Sequence, residues 1–210
     1  MNNKLKILVN FARASLELRS KLILLVLNYH RFINMEANGF YGSLSTEEEK
    51  ALTILVDNLK KDNGPLIEFG TLFGTTTLLM AEHKEDAKLL FTIDNFSWNP
   101  FLMTELSHKF FTERCLSYVI QNCNVRLLDT DIEDFQNSFE EIEPGLVFLD
   151  ADHSYEAVKR DIKWALQRKT KIICGHDYSH EWPGVMRAVN EEFGSNFAIC
   201  QTFWWSIRTY

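Results

Sequence analysis

Two short stretches of this 210-residue chain end apolar runs on groups that can do chemistry. In LVFLDADHSY, four apolar residues lead into Asp150, Asp152 and His153; in KIICGHDY, a similar run leads into His176, Asp177 and Tyr178. If both runs are neighbouring buried strands, Asp150 and Asp177 project side by side from the same edge. Two converging carboxylates repel unless one is protonated or a cation lies between them. Hard oxygen donors suit magnesium, manganese or calcium better than zinc. His153 titrates near neutral pH, so it can act as a general base towards a hydroxyl held at such a site. Asp152 reads more simply as a helix cap.

A second set of residues precedes these. EFGTLFGTTT, from Glu68 to Thr77, places Gly70 and Gly74 between an apolar run and a helical one. A glycine turn opening a helix presents free N–H groups and suits a ligand carrying a carboxylate or phosphate, although a plain turn has the same look. The dinucleotide pattern G-x-G-x-x-G and a P-loop lysine are both absent. Asp94, at the end of the next apolar run, stands where an acid accepts hydrogen bonds from ribose hydroxyls. Asp131 and Ile132 follow a third run. Asp131 serves there as a helix N-cap or meets an adenine edge.

The elements that must position these residues can be read from Pro65 onward. Five apolar runs, PLIEFG, KLLFTID, NVRLLDT, GLVFLD and KIICGHD, alternate with helical segments. NFAICQTFWWSIRTY then reads as two strands with no helix between them. This implies an α/β fold: a seven-stranded, doubly wound, Rossmann-like sheet whose last strand is antiparallel. Ligands bind such sheets beyond the carboxyl ends of the strands, where the residues above stand. Ser45 and Glu48 form a capping box for a preceding helix, TEEEKALTILVDNLKK, which DNGP stops.

Charge divides the chain into an arm and a body. Residues 1–34 carry Lys4, Lys6, Arg13, Arg19, Lys21 and Arg31 against Glu17, a net of +5, so a formal total of −7 leaves −12 for the rest. An acidic body argues against nucleic acid as a partner. Residues 1–44 are expected to form a basic amphipathic arm and 45–210 the catalytic domain. Such an arm fits a homo-oligomer contact or a peripheral membrane contact. Four cysteines without C-x-x-C spacing, and no signal-peptide pattern, suggest a reduced, cytoplasmic setting.

The motifs resemble those of a family. Glu68-Phe-Gly-Thr-Leu-Phe-Gly-Thr75 resembles motif I of class I S-adenosylmethionine-dependent methyltransferases. VFLDADHSYEAVKRDIKWAL and IICGHDYSHEWPGVMRAVNEEF resemble the later signatures of the macrocin- and cephalosporin-type O-methyltransferases, distantly related to catechol O-methyltransferases. The resemblance implies that Glu68, Gly70, Thr71, Gly74 and Thr75 hold the methionine part of S-adenosylmethionine. Asp94 and Asn95 would hold its ribose, and Asp131 and Ile132 its adenine. It implies Asp150, His176 and Asp177 as ligands of Mg2+, with His153 as catalytic base and Asp150 beside it. His176 stands where the macrolide-sugar enzymes have Glu, and Tyr178 where the catechol enzymes have Asn. The expected reaction is metal-assisted methyl transfer to a hydroxyl of a small sugar or natural product. The alternatives are a nicotinamide-dependent oxidoreductase and a non-catalytic binding module on the same fold.

Overall fold

The computed structural model describes residues 44–98, 103–139 and 141–210. The expected arm over residues 1–44 therefore lies, but for Leu44, outside the described residues. Helix α1 (Thr46–Asp57) leads into β1 (Leu66–Phe69), α2 (Thr75–His83), β2 (Leu90–Asp94), α3 (Glu105–Asn122), β3 (Val125–Asp129) and α4 (Ile132–Ser138). Then come β4 (Leu146–Leu149), α5 (Tyr155–Gln167), β5 (Ile172–Gly175), α6 (Pro183–Phe193), β6 (Ala198–Cys200) and β7 (Phe203–Ile207). The sheet order is β3-β2-β1-β4-β5-β7-β6. β1 to β5 pair in parallel, and β7 runs antiparallel to both β5 and β6. The expected seven-stranded sheet with an antiparallel last strand is the fold that forms.

The central strands are apolar on both faces because both faces are covered, and alternate residues feed two cores. Leu66, Leu90, Leu146, Phe148 and Phe203 meet Leu52, Val56, Met80 and Leu116 of α1 to α3. Ile67, Phe69, Ile93, Val147, Ile173 and Trp204 meet Phe135, Ile162, Trp164, Ala188 and Val189 of α4 to α6. Among the described residues, no helix is long and apolar enough to cross a membrane.

Some boundaries depart from the sequence pattern. Helix α4 closes at Ser138, and Phe139 stacks back on Phe135 with ring centroids 4.5 Å apart. Ser154, not Asp152, caps α5 through the Ala157 N–H; Asp152 accepts from the Ser154 N–H at 2.8 Å and supports that cap.

The strand order switches at β1 and β4, and their carboxyl ends lie close together. Gly70 has φ +92°, and a Cβ there would sit 2.1 Å from the Asp150 carbonyl oxygen. Only glycine fits, and what occupies the missing Cβ's space is the protein's own backbone.

Candidate active site

Three strand-end residues meet beyond β4 and β5. His153 Nε2 lies 2.7 Å from Asp177 Oδ2 and 3.5 Å from Asp150 Oδ1, as ion-pair contacts rather than a well-aligned hydrogen bond. The ligand-capable atoms of Asp150, His153 and Asp177 lie within 4.8 Å of one another. The imidazole thus takes the place a cation would take between the carboxylates. Burial works against its charge, but Asp150 and Asp177 outweigh that and push His153 up to about 9. Burial raises Asp150, whereas the two imidazoles overcome burial at Asp177 and hold it well below the carboxylate range. Asp177 has φ +60°, a conformation that aspartate tolerates better than most residues.

A second imidazole backs the first. His176 Nδ1 is 3.5 Å from Asp177 Oδ1, while its Nε2 meets the Thr202 hydroxyl at 2.9 Å and Glu48 Oε2 at 3.5 Å. The structure therefore gathers Asp150 and Asp177 with His153 as the third donor, and turns Nε2 of His176 towards α1 and β7. Burial opposes the charge of His176, yet Asp177 and Glu48 push it up to about 10.

Glu48 is the residue that sequence reading undervalued. Its Oε2 accepts the Ser45 N–H at 2.8 Å, completing the expected capping box. Its Oε1 accepts the N–H groups of Thr202 and Phe203, at 2.9 and 3.0 Å, and the Thr202 hydroxyl at 2.8 Å. Despite burial, these bonds and His176 hold its carboxyl far below the usual range. The chain of contacts Glu48–His176–Asp177–His153–Asp150 joins the start of α1 to the end of β4. The capping-box spacing singles out Glu48 from Glu47 and Glu49, but nothing in it says that the second oxygen reaches β7.

Trp182 supplies the outer wall. Its indole stacks on the His153 ring at 4.4 Å and 29°, and it stays 42% exposed at the start of α6. Gly184 allows this approach, since a Cβ there would meet the His153 carbonyl oxygen at 2.5 Å. Tyr178 is turned away, its hydroxyl donating to Asn190 Oδ1 at 3.1 Å. Beneath the cluster, Asp150, His153, Asp161, His176 and Trp204 line a cavity of ≈ 10 Å³. A larger groove of ≈ 560 Å³ runs along α4 and α5, but none of Asp150, His153 or Asp177 lines it. The converging side chains, not the larger hollow, mark the site.

The ends of β1 to β3 carry the other candidates. Glu68 is buried under α2; it accepts from the Thr77 hydroxyl, and its Oε1 has no partner. Burial, with Asp150 and Asp94 nearby, pushes its carboxyl up to about 8. Asp94 Oδ2 accepts the N–H groups of Thr71 and Leu72, each at 2.9 Å, and Oδ1 accepts that of Phe96 at 2.7 Å. Gly74, with φ +83°, is the N-cap of α2 and leaves the first-turn N–H groups of Thr75 and its neighbours without a side-chain cap. Asn95 donates to Asp131 Oδ1 at 2.7 Å, linking the ends of β2 and β3. Asp131 is the N-cap of α4, and Ile132 begins that helix against the second core. A partnerless buried acceptor among three acids, beside an uncapped helix start, fits a cofactor that carries positive charge and a carboxylate.

The fold and these strand-end residues define a class I methyltransferase. A family model described as a methyltransferase domain matches residues 67–178, more than half of the chain. The chain belongs to that family and is an S-adenosylmethionine-dependent methyltransferase. No curated protein matches the sequence. Among solved structures, the chain is similar to the calicheamicin methyltransferase CalS11, at 14% identity over 78% of this chain and 79% of that one, TM-score 0.64. It is similar to the O-methyltransferase from Bacillus cereus in complex with SAH, at 16% identity over 90% and 91%, TM-score 0.61. It is also similar to TomG from Streptomyces achromogenes in complex with SAM, at 15% identity over 80% and 82%, TM-score 0.61.

Proposed function

We propose that the chain transfers a methyl group from S-adenosylmethionine to a hydroxyl of a small sugar or natural product. The observation that carries this reading is the meeting of Asp150, His153 and Asp177 at the carboxyl ends of β4 and β5, walled by Trp182. The bound cofactor supplies an already electrophilic methyl group. The protein's task is therefore to orient the acceptor and to take up its proton. His153 is the group within reach, and as a base it must first be neutral. Asp177 and His176 fix its ring, and Asp150 marks the acceptor side. The exposed indole face of Trp182 offers a flat surface for a sugar or aryl ring.

The likeness to CalS11, described as a TDP-rhamnose 3'-O-methyltransferase, supports a sugar acceptor. The cofactor would lie across Glu68, Gly70, Thr71, Gly74 and Thr75, with its ribose near Asp94 and Asn95 and its adenine near Asp131 and Ile132. Asp150 and Asp177 fit Mg2+ by their oxygens, and a cation there would displace the His153 proton and lower the acceptor's pKa. His176, backed by Glu48, would hold Asp177 rather than ligate the ion. Family membership favours methyl transfer over nicotinamide chemistry. A non-catalytic module would leave the meeting of base and acids without a use.

The test is calorimetric titration with S-adenosylhomocysteine, followed by a screen of glycosides and phenols for methyl transfer from labelled cofactor. Binding of the cofactor product, and transfer that is lost in His153→Ala, support the reading. Stronger binding of NAD than of S-adenosylhomocysteine, or full transfer by His153→Ala, would sink it.

A further inference from the structure

Helix α3 carries none of the motif residues, yet it reaches into the cofactor loop. His108 and Thr112, one turn apart and 1% and 0% exposed, point at the same atom. His108 Nε2 lies 2.8 Å from the Leu72 carbonyl oxygen, and the Thr112 hydroxyl donates to that oxygen at 2.5 Å. Because a carbonyl only accepts, Nε2 carries the hydrogen. Leu72 itself has φ +47°, a conformation that a leucine holds only when its surroundings impose it.

The two peptides just before that of the Leu72 carbonyl are held as well. Asp94 Oδ2 takes the N–H groups of Thr71 and Leu72. Asp94 Oδ1 takes that of Phe96, which has φ +57° and is itself buried. The rings of Phe73 and Phe96 meet the His108 ring edge-on, at 5.1 and 5.2 Å. One carbonyl needs one donor to be satisfied; it receives two buried ones from a helix that apolar side chains alone could have packed. Two donors on the Leu72 carbonyl and a carboxylate on the Thr71 and Leu72 N–H groups set the orientation of this turn, not merely its burial.

We infer that His108 and Thr112 are positioning residues for the cofactor. They hold the Leu72 carbonyl against α3, so that the Gly70–Gly74 turn leaves the start of α2 and Glu68 Oε1 facing the methionine end of S-adenosylmethionine. This rests on the cofactor assignment above. Loss of either donor lets Leu72 relax from its left-handed conformation, and the turn then no longer presents those groups together.

The experiment is calorimetric titration of the full chain with S-adenosylhomocysteine, alongside thermal unfolding. His108→Phe keeps a ring among Phe73 and Phe96 but removes the donor. Thr112→Val keeps the shape and removes the hydroxyl. Each is expected to weaken binding about tenfold, as loss of one buried hydrogen bond implies. Thr112→Ser and His108→Gln, which retain donors, are expected to recover most of that loss. If His108→Phe does not fold, Thr112→Val and Thr112→Ser decide the matter alone. A folded Thr112→Val that binds as the wild type does overturns the inference, as does a loss that Thr112→Ser fails to recover. A wild-type chain that binds no S-adenosylhomocysteine overturns both this inference and the cofactor assignment, whereas an unaffected variant of a binding wild type overturns this inference only.

Discussion

The two ends of the strand-end cleft are built by different means. At β1 and β2 the groups are fixed by uncharged donors: Asp94 takes three backbone N–H groups, and Glu68 accepts from the Thr77 hydroxyl in the core. At β4, β5 and β7 they are fixed by charge: imidazoles alternate with carboxylates from Glu48 to Asp150. The first arrangement rests on hydrogen bonds to N–H and hydroxyl groups that carry no charge. The second is poised to change when a proton or a cation arrives. A bound cofactor needs a fixed seat, whereas proton transfer needs groups that can alternate between two states.

The sharpest way to break that contrast is His153→Ala. Turnover should fall about 10²- to 10⁴-fold, the usual loss for a missing general base, while calorimetry shows S-adenosylhomocysteine bound as in the wild type. A parallel loss of binding would mean that the two ends are not separable.

The second prediction concerns pH. His153 and His176 are raised to about 9 and about 10 in the folded chain, above the ordinary 6.5. Their contribution to stability is therefore complete below about pH 6.5 and is lost as pH rises through 9 to 10. Urea midpoints at pH 6, 8 and 9.5 should fall in that order, and His176→Gln should flatten the decline. Turnover should move the other way, rising towards pH 9 as His153 becomes a competent base. EDTA should depress turnover if a cation displaces that proton, and should leave it unchanged if His153 is deprotonated by pH alone.

Third, Gly70→Ala should cost at least about 2 kcal/mol in urea unfolding, because the new Cβ meets the Asp150 carbonyl at a positive φ. It should also impair both ends, since Gly70 belongs to one and Asp150 to the other. The smallest effect is expected from Ser45→Ala, about 1 kcal/mol for a lost helix cap, with turnover unchanged. Glu48→Gln should exceed it, because it also disturbs His176.

Most of the fold was legible because strand and helix periods alternate cleanly from Pro65 onward. Asp150, His153 and Asp177 were legible because a buried strand that ends on charge calls for an explanation. Glu48 was legible as the partner of Ser45 in a capping box but not as the partner of His176, because β7 brings that contact from 154 residues away. Trp182 was not, because a tryptophan before a proline reads as a helix start and its partner ring lies across a loop. His108 and Thr112 were hidden for another reason: their target is a carbonyl oxygen, which no residue pattern displays. The contacts of His176 were not legible either, because its Nε2 faces Glu48 and Thr202, from α1 and from the chain entering β7.

The contact between Glu48 and Thr202 spans 154 residues of chain. Contacts of such long range are costly in loop entropy, whereas the Asp150–His153 contact spans three residues and forms locally. A chain whose β7 has not docked leaves Glu48 and His176 without the Thr202 and Phe203 groups that hold them.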